Sequence, residues 1–378
     1  MSIINIGVND HDLKQFEGQY PVPNGMRYNS YLILDESVAV LDTVDKNFTD
    51  LWLENIKKEL GDKEPSYLVI HHMEPDHSAS IKAFMDIYPN TTIVLSIQAK
   101  NMLTQFFSEL CNANCMVVKE GDELNLGKHS LTFYAAAMVH WPEVLFSYDK
   151  EDKVLFSADA FGTFGANDIP QDNWVNEARR YYFGIVGKYG MQVQNVLKKL
   201  SGLEIKKICS LHGPILEDDL SYYINKYDTW SKYDSEIDGI CIAYASIYGN
   251  TKEACLLLKE ELEKLNKTVV IHDLCNEDSS YALSDAFAYN KLVIASPTYD
   301  SSIFPCAKEF IEHLTHRNFQ KKTVAIIENG SWAPTAANTI KKMLEASKEL
   351  TILDEVITIK SSMSDKNKEE IINLANIL

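Results

Sequence analysis

Basic side chains are in short supply in this chain of 378 residues: 36 lysines and arginines stand against 54 aspartates and glutamates, for a formal charge of −18. Such a field repels the phosphates of nucleic acid and argues against that class of partner, while a protein can still dock through a local patch. Long apolar runs are missing as well. Nothing approaches the roughly 20 residues needed to cross a bilayer, and Met1-Ser2-Ile3-Ile4-Asn5 has no basic segment leading into an apolar core, so neither a membrane span nor an export signal is expected. With only 16 glycines and 11 prolines, a fibrous or disordered chain is excluded. The seven cysteines show no pairing pattern: Cys111 and Cys115 are the closest in sequence and have no matching second pair. That excludes a four-thiolate iron or zinc site and reads as a reduced, cytoplasmic protein, with residues such as Cys241 in Ile240-Cys241-Ile242 acting as small buried hydrophobes.

What is present suits a large globular protein. Apolar residues make up 46% of the chain, and the length favours two domains. Residues 1–235 carry strand-like runs and hairpins, such as Tyr31–Leu34 with Val38–Leu41 and Val144–Phe146 with Val154–Phe156, joined by polar turns. A helix is expected around Phe48 to Leu60. From 238 to 378 the pattern becomes a regular alternation. Strands are expected at 239–245, 268–271, 291–295, 323–327 and 355–359. Ala254, Leu257, Leu258, Leu262 and Leu265 mark one face of an intervening helix, which is the layout of a doubly wound parallel sheet. Tyr227 to Asp238, polar with interspersed aromatics, is the expected linker.

One stretch carries most of the chemistry. In His72-Met73-Glu74-Pro75-Asp76-His77, four metal-binding side chains fall within six positions directly after the apolar run Tyr67-Leu68-Val69-Ile70. A strand ending in such a cluster delivers its donors to one rim of a sheet. Two imidazoles with two hard oxygens suit a redox first-row metal better than a structural zinc. His140 after Ala135–Val139, Asp159 after Val154–Ala158 and His212 after Ile208–Leu211 fit the same site, each at the expected carboxyl end of a strand. A lone histidine in any of these places would more often be structural; the set together is not. His71, pointing opposite to His72 along the same strand, reads as structural, and His11, His129, His272, His313 and His316 lack a metal-like context.

A second constellation lies in the later half. Ser246-Ile247-Tyr248-Gly249-Asn250-Thr251 joins the first strand to the first helix there, and its hydroxyls and free amides make an anion site suited to a phosphate monoester. The chain lacks Gly-x-Gly-x-x-Gly at this point, which disfavours a dinucleotide. Ser296-Pro297-Thr298-Tyr299-Asp300 and Asn329-Gly330-Ser331-Trp332 follow two further strands and offer amides and aromatic rings to a flat, partly polar ring system.

The first half resembles the metallo-β-lactamase superfamily, whose hydrolases carry His-x-His-x-Asp-His; here Glu74 stands at the second histidine, a harder and more negative donor that favours iron. The 246–251 loop resembles the phosphate loop of flavodoxins. Taken whole, the chain resembles the flavodiiron proteins, also called A-type flavoproteins. The resemblance implies an αββα sandwich followed by a flavodoxin-like sheet. It implies one iron held by His72, Glu74 and His140, another by Asp76, His77 and His212, and Asp159 bridging them, with no catalytic residue beyond these ligands. Three carboxylates against two ferrous ions leave a charge of plus one, which a bridging hydroxide brings to zero. It further implies FMN, its phosphate on Ser246, Tyr248, Asn250 and Thr251 within the 246–251 loop. The family's Gly-Ser-aromatic-Gly-Trp is here Gly330-Ser331-Trp332-Ala333-Pro334, so the ring-stacking partner does not carry over.

By the same resemblance, electrons pass through FMN to the irons, which reduce dioxygen to water or nitric oxide to nitrous oxide. A head-to-tail homodimer or a dimer of dimers would set the flavin of one copy at the irons of another. Because the chain ends after the flavodoxin-sized half, an external donor is expected, rubredoxin with its reductase or a reduced deazaflavin. Two alternatives stand beside this: a metal-dependent hydrolase with an accessory flavodoxin domain, against which Glu74 counts, and an electron-transfer module with a degenerate metal site, against which the full ligand set counts.

Overall fold

The computed structural model describes residues 3–170 and 174–378, so Met1 and Ser2 of the N-terminal reading lie outside the described residues. Two compact units emerge, Met1–Asp228 and Thr229–Leu378.

Two sheets face each other in the first unit. One has the strand order Ile3–Asn5, Tyr31–Ile33, Ala39–Leu41, Tyr67–Val69, Thr92–Leu95, Cys115–Val117. Its expected hairpin is antiparallel with Tyr31 opposite Leu41, and from Ala39–Leu41 onward the strands run parallel. The second sheet runs Glu123–Asn125, Ser130–Ala135, Leu145–Asp149, Val154–Phe156, Lys207–Cys209. Tyr31 from the first sheet and Phe156 from the second meet with ring centres 5.4 Å apart in a shared apolar core. Outside the first sheet, Trp52 on the helix Thr49–Leu60 and Phe84 on Ile81–Ile87 pack 5.7 Å apart and bury the other face. Outside the second, Leu155 and Ile208 line one apolar hollow with Leu197 and Leu200 of the helix Gly190–Leu200 and Ile224 of Leu220–Ser231. The uniformly apolar strands are therefore covered on both sides, which is why they read as continuous runs rather than alternations.

In the second unit five parallel strands lie in the order Thr268–Asp273, Ile237–Tyr244, Tyr289–Tyr299, Thr323–Asn329, Thr351–Ile359. This is the 2-1-3-4-5 order of flavodoxin-like sheets. The expected helix spans Asn250–Lys264 and buries Ala254, Cys255, Leu258 and Leu262. Leu265, expected on its buried face, instead caps the helix end and is 43% exposed.

The expected linker is largely structured. Its aromatic residues Tyr227, Trp230 and Tyr233 are buried, and the helix Leu220–Ser231 runs through its first half. Aromatic rings in a polar stretch were core contacts, not loop decoration. Among the described residues no helix is long and apolar enough to cross a membrane.

Candidate metal centre and phosphate loop

Three of the donors share one geometric origin. His72, Asp159 and His212 each lie three residues past the end of a buried strand: Tyr67–Val69, Val154–Phe156 and Lys207–Cys209. The last two strands are parallel neighbours, so their extensions arrive on the same rim. Asp76 and His77 come from the short helix Pro75–Ser78, which Pro75 opens. His140 departs from expectation. The strand before it ends at Ala135, and His140 hangs from the connection to Leu145–Asp149, which passes through Met138 at φ 65°.

All seven expected donors converge. Candidate ligand atoms of His72, Glu74, His140 and Asp159 lie within 4.8 Å of one another, and so do those of Asp76, His77 and His212. Asp159 faces both groups. Its Oδ2 is 3.1 Å from His140 Nε2 and 3.5 Å from His72 Nε2, while its Oδ1 is 3.3 Å from His77 Nε2 and 3.8 Å from His212 Nε2. Glu74 Oε2 stands 3.1 and 3.0 Å from the Nε2 atoms of His72 and His140. Asp76 Oδ2 stands 3.3 Å from those of His77 and His212.

The surroundings fix which ring atom faces inward. His212 Nδ1 donates to the carbonyl of Arg27 at 2.7 Å, so its proton sits there and Nε2 presents a lone pair to the centre. His72 Nδ1 lies 2.8 Å from the buried carboxylate of Glu143, which also accepts from the amide of Met73. This orients His72 in the same sense. Aromatic rings wall the centre: Phe16, Tyr28 and Tyr181 lie 5.3, 6.0 and 5.5 Å from His212, and Trp141 lies 5.3 Å from His72. His71 is structural as expected, bonded to Asp42 at 2.6 Å and Ser147 at 2.8 Å.

Electrostatically the cluster calls for cations. Burial works against the charged rings of His72, His77 and His140, yet Asp159, Glu74, Asp76 and Glu143 outweigh it and hold them above the ordinary imidazole range, His140 at about 9. Burial likewise works against the Glu74 and Asp159 carboxylates, and the rings hold both well below the usual range. Glu17, exposed as a residue on the turn between Gln15–Phe16 and Tyr20–Pro21, has its carboxyl pushed up to about 7 by desolvation and by the charge of Glu74. The orphan atoms point the same way. Both oxygens of Asp76 and Oδ1 of Asp159 are buried without a hydrogen bond, and His77 Nε2 and His212 Nε2 stand 3.0 Å apart. Buried, unbonded carboxylate oxygens facing paired imidazole nitrogens are costly unless a cation lies among them. The donor set therefore fits a pair of first-row metal ions.

Glu143 and Glu17 were not singled out from the sequence. Glu143 sits only three residues after His140, but its partner His72 is 71 residues away, and no local spacing links them. Glu17 offers no motif at all.

In the second unit, Gly249 takes φ +97° and ends the 246–251 loop at the helix Asn250–Lys264. A Cβ there would meet nothing within 4 Å, so it is the left-handed backbone rather than space that asks for glycine. Ser246 Oγ accepts from the amides of Gly249 and Lys252, Thr251 is buried, Asn250 is half-buried, and Ile247 and Tyr248 are exposed. Gly249 has no side chain with which to cap the helix, and Ser246 takes up one first-turn amide, that of Lys252, leaving those of Asn250 and Thr251 for an anion.

The 296–300 segment is not a loop after Ala295 but a continuation of the strand to Tyr299, paired with Ser302–Ile303. Pro297 and Asn329 pair across neighbouring strands, and Asp300 follows in the left-handed region. Thr298 Oγ1 accepts from the amides of Thr335 and Ala336, tying this segment to the one that holds Gly330, Ser331 and Trp332. Gly330 is packed against Pro334, with a built Cβ only 3.0 Å from it. Tyr248, Tyr299 and Trp332 are 92%, 45% and 83% exposed, three rings at the carboxyl edge of one sheet. Apolar faces left open there beside the first-turn amides of Asn250 and Thr251 fit a flat ring carrying a phosphate.

Fold and sites thus define a β-lactamase-like metal-binding unit joined to a flavodoxin-like unit. Family comparison agrees: residues 26–213 match the ODP family of β-lactamases, and residues 241–356 match the flavodoxin domain. The chain is 27% identical to a nitric oxide reductase of Moorella thermoacetica over 91% of this chain and 88% of that one. It superposes on the flavodiiron protein of Giardia intestinalis with a TM-score of 0.93 at 26% identity, covering 100% of this chain and 94% of that one. It superposes equally, TM-score 0.93 at 25% identity, on rubredoxin oxygen:oxidoreductase of Desulfovibrio gigas, covering 99% and 95%. The chain belongs to the flavodiiron proteins, and that kinship implies FMN and a diiron centre.

Proposed function

We propose that the protein takes electrons from an external donor through FMN to a diiron centre and there reduces dioxygen to water, nitric oxide to nitrous oxide, or both. The observation that carries this reading is the position of Asp159, whose two oxygens face two separate triads, His72–Glu74–His140 and Asp76–His77–His212. One carboxylate spanning two ligand groups is how a metal pair is held close enough to share one small substrate. Bound FMN and iron would supply the redox chemistry, which belongs to the cofactors. The chain's residues hold and tune them. Glu74 and Asp76 add hard oxygen donors that favour iron, Glu143 and the Arg27 carbonyl aim His72 and His212, and Phe16, Tyr28, Tyr181 and Trp141 shield the centre from bulk water.

For the flavin, Ser246, Ile247, Tyr248, Gly249, Asn250 and Thr251 are assigned to the phosphate. Pro297, Thr298, Tyr299, Asp300, Asn329, Gly330, Ser331 and Trp332 are assigned to the ring. Rubredoxin is the donor suggested by the name of the Desulfovibrio gigas relative, and a head-to-tail homodimer would bring flavin of one copy to iron of another. Seven free cysteines suit a cytoplasmic setting. The test is anaerobic purification with metal and flavin analysis, then steady-state reduction of each gas by the same reduced rubredoxin. About two irons and one FMN per chain with turnover of at least one gas supports the reading; two zincs with neither gas reduced overturns it in favour of a hydrolase.

A further inference from the structure

Outside both sites, the fold brings together two cysteines that sequence spacing does not pair. Cys275 and Cys306 are 31 residues apart, and their sulfurs are 3.2 Å apart. Cys275 is exposed in the turn after the strand Thr268–Asp273, its amide bonded to Asp273 Oδ1. Cys306 is half-buried in the first turn of the helix Pro305–His316. A turn can shift against a helix by the ~1 Å that separates this contact from a disulfide bond of about 2.05 Å. They also differ in access, since solvent reaches Cys275 more freely. By contrast Cys209, Cys241 and Cys255 are buried.

We propose that Cys275 and Cys306 are a redox-active thiol pair, closed to a disulfide by hydrogen peroxide and reopened by an external dithiol. The Cys275 thiolate attacks one peroxide oxygen, the O–O bond breaks, and Cys275 becomes a sulfenic acid while the departing hydroxide takes up the proton the thiol had shed and leaves as water. The Cys306 sulfur then attacks the Cys275 sulfur, the S–S bond forms, the S–O bond breaks, and a second water leaves with the remaining proton. Two thiols give up two electrons and two protons to one peroxide, which becomes two waters. The order of attack follows from the environment: burial and the neighbouring Cys275 push the Cys306 thiol up to about 12, so it is not the first to attack, and it sheds its proton to the departing hydroxyl only as its sulfur bonds to that of Cys275.

Closing the bond has a structural consequence. Cys306 follows Phe304, whose amide bonds to Ser296 Oγ at 3.1 Å and whose ring lies 5.3 Å from that of Tyr299. A disulfide would therefore tether the base of the 296–304 segment to the turn that follows the strand Thr268–Asp273.

Peptide mass mapping of the flavin- and iron-loaded protein tests this. After treatment with a few equivalents of hydrogen peroxide and blocking of free thiols, a Cys275-containing peptide should appear linked to a Cys306-containing one and disappear on adding dithiothreitol. Diamide, which removes two electrons and two protons from adjacent thiols, should give the same link. In Cys306→Ser, Cys275 should accumulate as a sulfenic acid trapped by dimedone; in Cys275→Ser, Cys306 should stay reduced. The pairing is wrong if neither oxidant links the two peptides, or if Cys275 proceeds to sulfinic acid at the same rate with and without Cys306.

Discussion

Asp159 is the residue on which a two-metal centre depends. Asp159→Ala removes the side chain that faces both triads and leaves each of them, with two imidazoles and one carboxylate, without its bridge. Iron should fall to about one or fewer per chain, because an under-coordinated, under-neutralised ion is released, while FMN content stays at the parent level. Colorimetric iron and flavin spectra on the same sample check it. Glu143→Gln probes orientation rather than ligation. It keeps the shape beside His72 Nδ1 but removes the charge, and iron should leave about 10- to 100-fold more readily in a chelator challenge, with folding unchanged.

His272 offers a test away from the metals: burial works against its charged form, yet hydrogen bonds to Asp285 and Glu277, at 3.0 and 2.8 Å, raise its pKa above the ordinary value. A raised histidine contributes stability below its unfolded pKa and loses it as pH rises through the folded one. His272→Gln should therefore cost on the order of 1 kcal/mol near pH 6 and progressively less above the raised pKa, as read by denaturant melts across pH. Residues like these divide by what local spacing can reveal. The ligands were legible because hard donors crowd behind apolar strands, whereas Glu143, Glu17 and the Cys275–Cys306 contact depend on chain segments that only folding brings together.

Elements explain where spacing succeeded and where it slipped. Buried parallel strands produce continuous apolar runs, so the five strands of the later unit and the helix Asn250–Lys264 could be read directly. Ends were harder. The strand Tyr289–Tyr299 outruns its apolar part because Thr298 and Tyr299 pair with Ser302–Ile303, and polar residues at a sheet's edge leave no hydrophobic trace. His140 sits in a loop, not at a strand end, since Ala136–Val139 is as apolar as a strand but turns through Met138. Gly249 makes the loop prediction sharp. Gly249→Ala meets no neighbour within 4 Å, so any loss of FMN reflects the left-handed backbone alone, about 1–2 kcal/mol, or roughly 5- to 30-fold in affinity. Equilibrium titration with FMN measures it; unchanged affinity would mean the loop does not grip the phosphate in this conformation.

At the scale of the whole molecule, two sites on separate units should fail separately. Ser246→Ala combined with Thr251→Ala should weaken FMN binding by up to about two to four powers of ten, taking charge-assisted hydrogen bonds at 1.5–3 kcal/mol each. Iron should stay at the parent level, because every assigned iron ligand precedes residue 213. Turnover should drop with the flavin and partly return with excess FMN. The most direct measurement of the proposed activity is the yield of nitrous oxide from nitric oxide, and of oxygen consumed, when reduced rubredoxin drives the parent and Asp159→Ala at equal FMN occupancy. Conversion of one or both gases by the parent and loss of at least nine-tenths of it in the variant, about 1.4 kcal/mol or more of barrier, is the expected result. Equal turnover by the two proteins, or a parent that accepts electrons and converts neither gas, would contradict it.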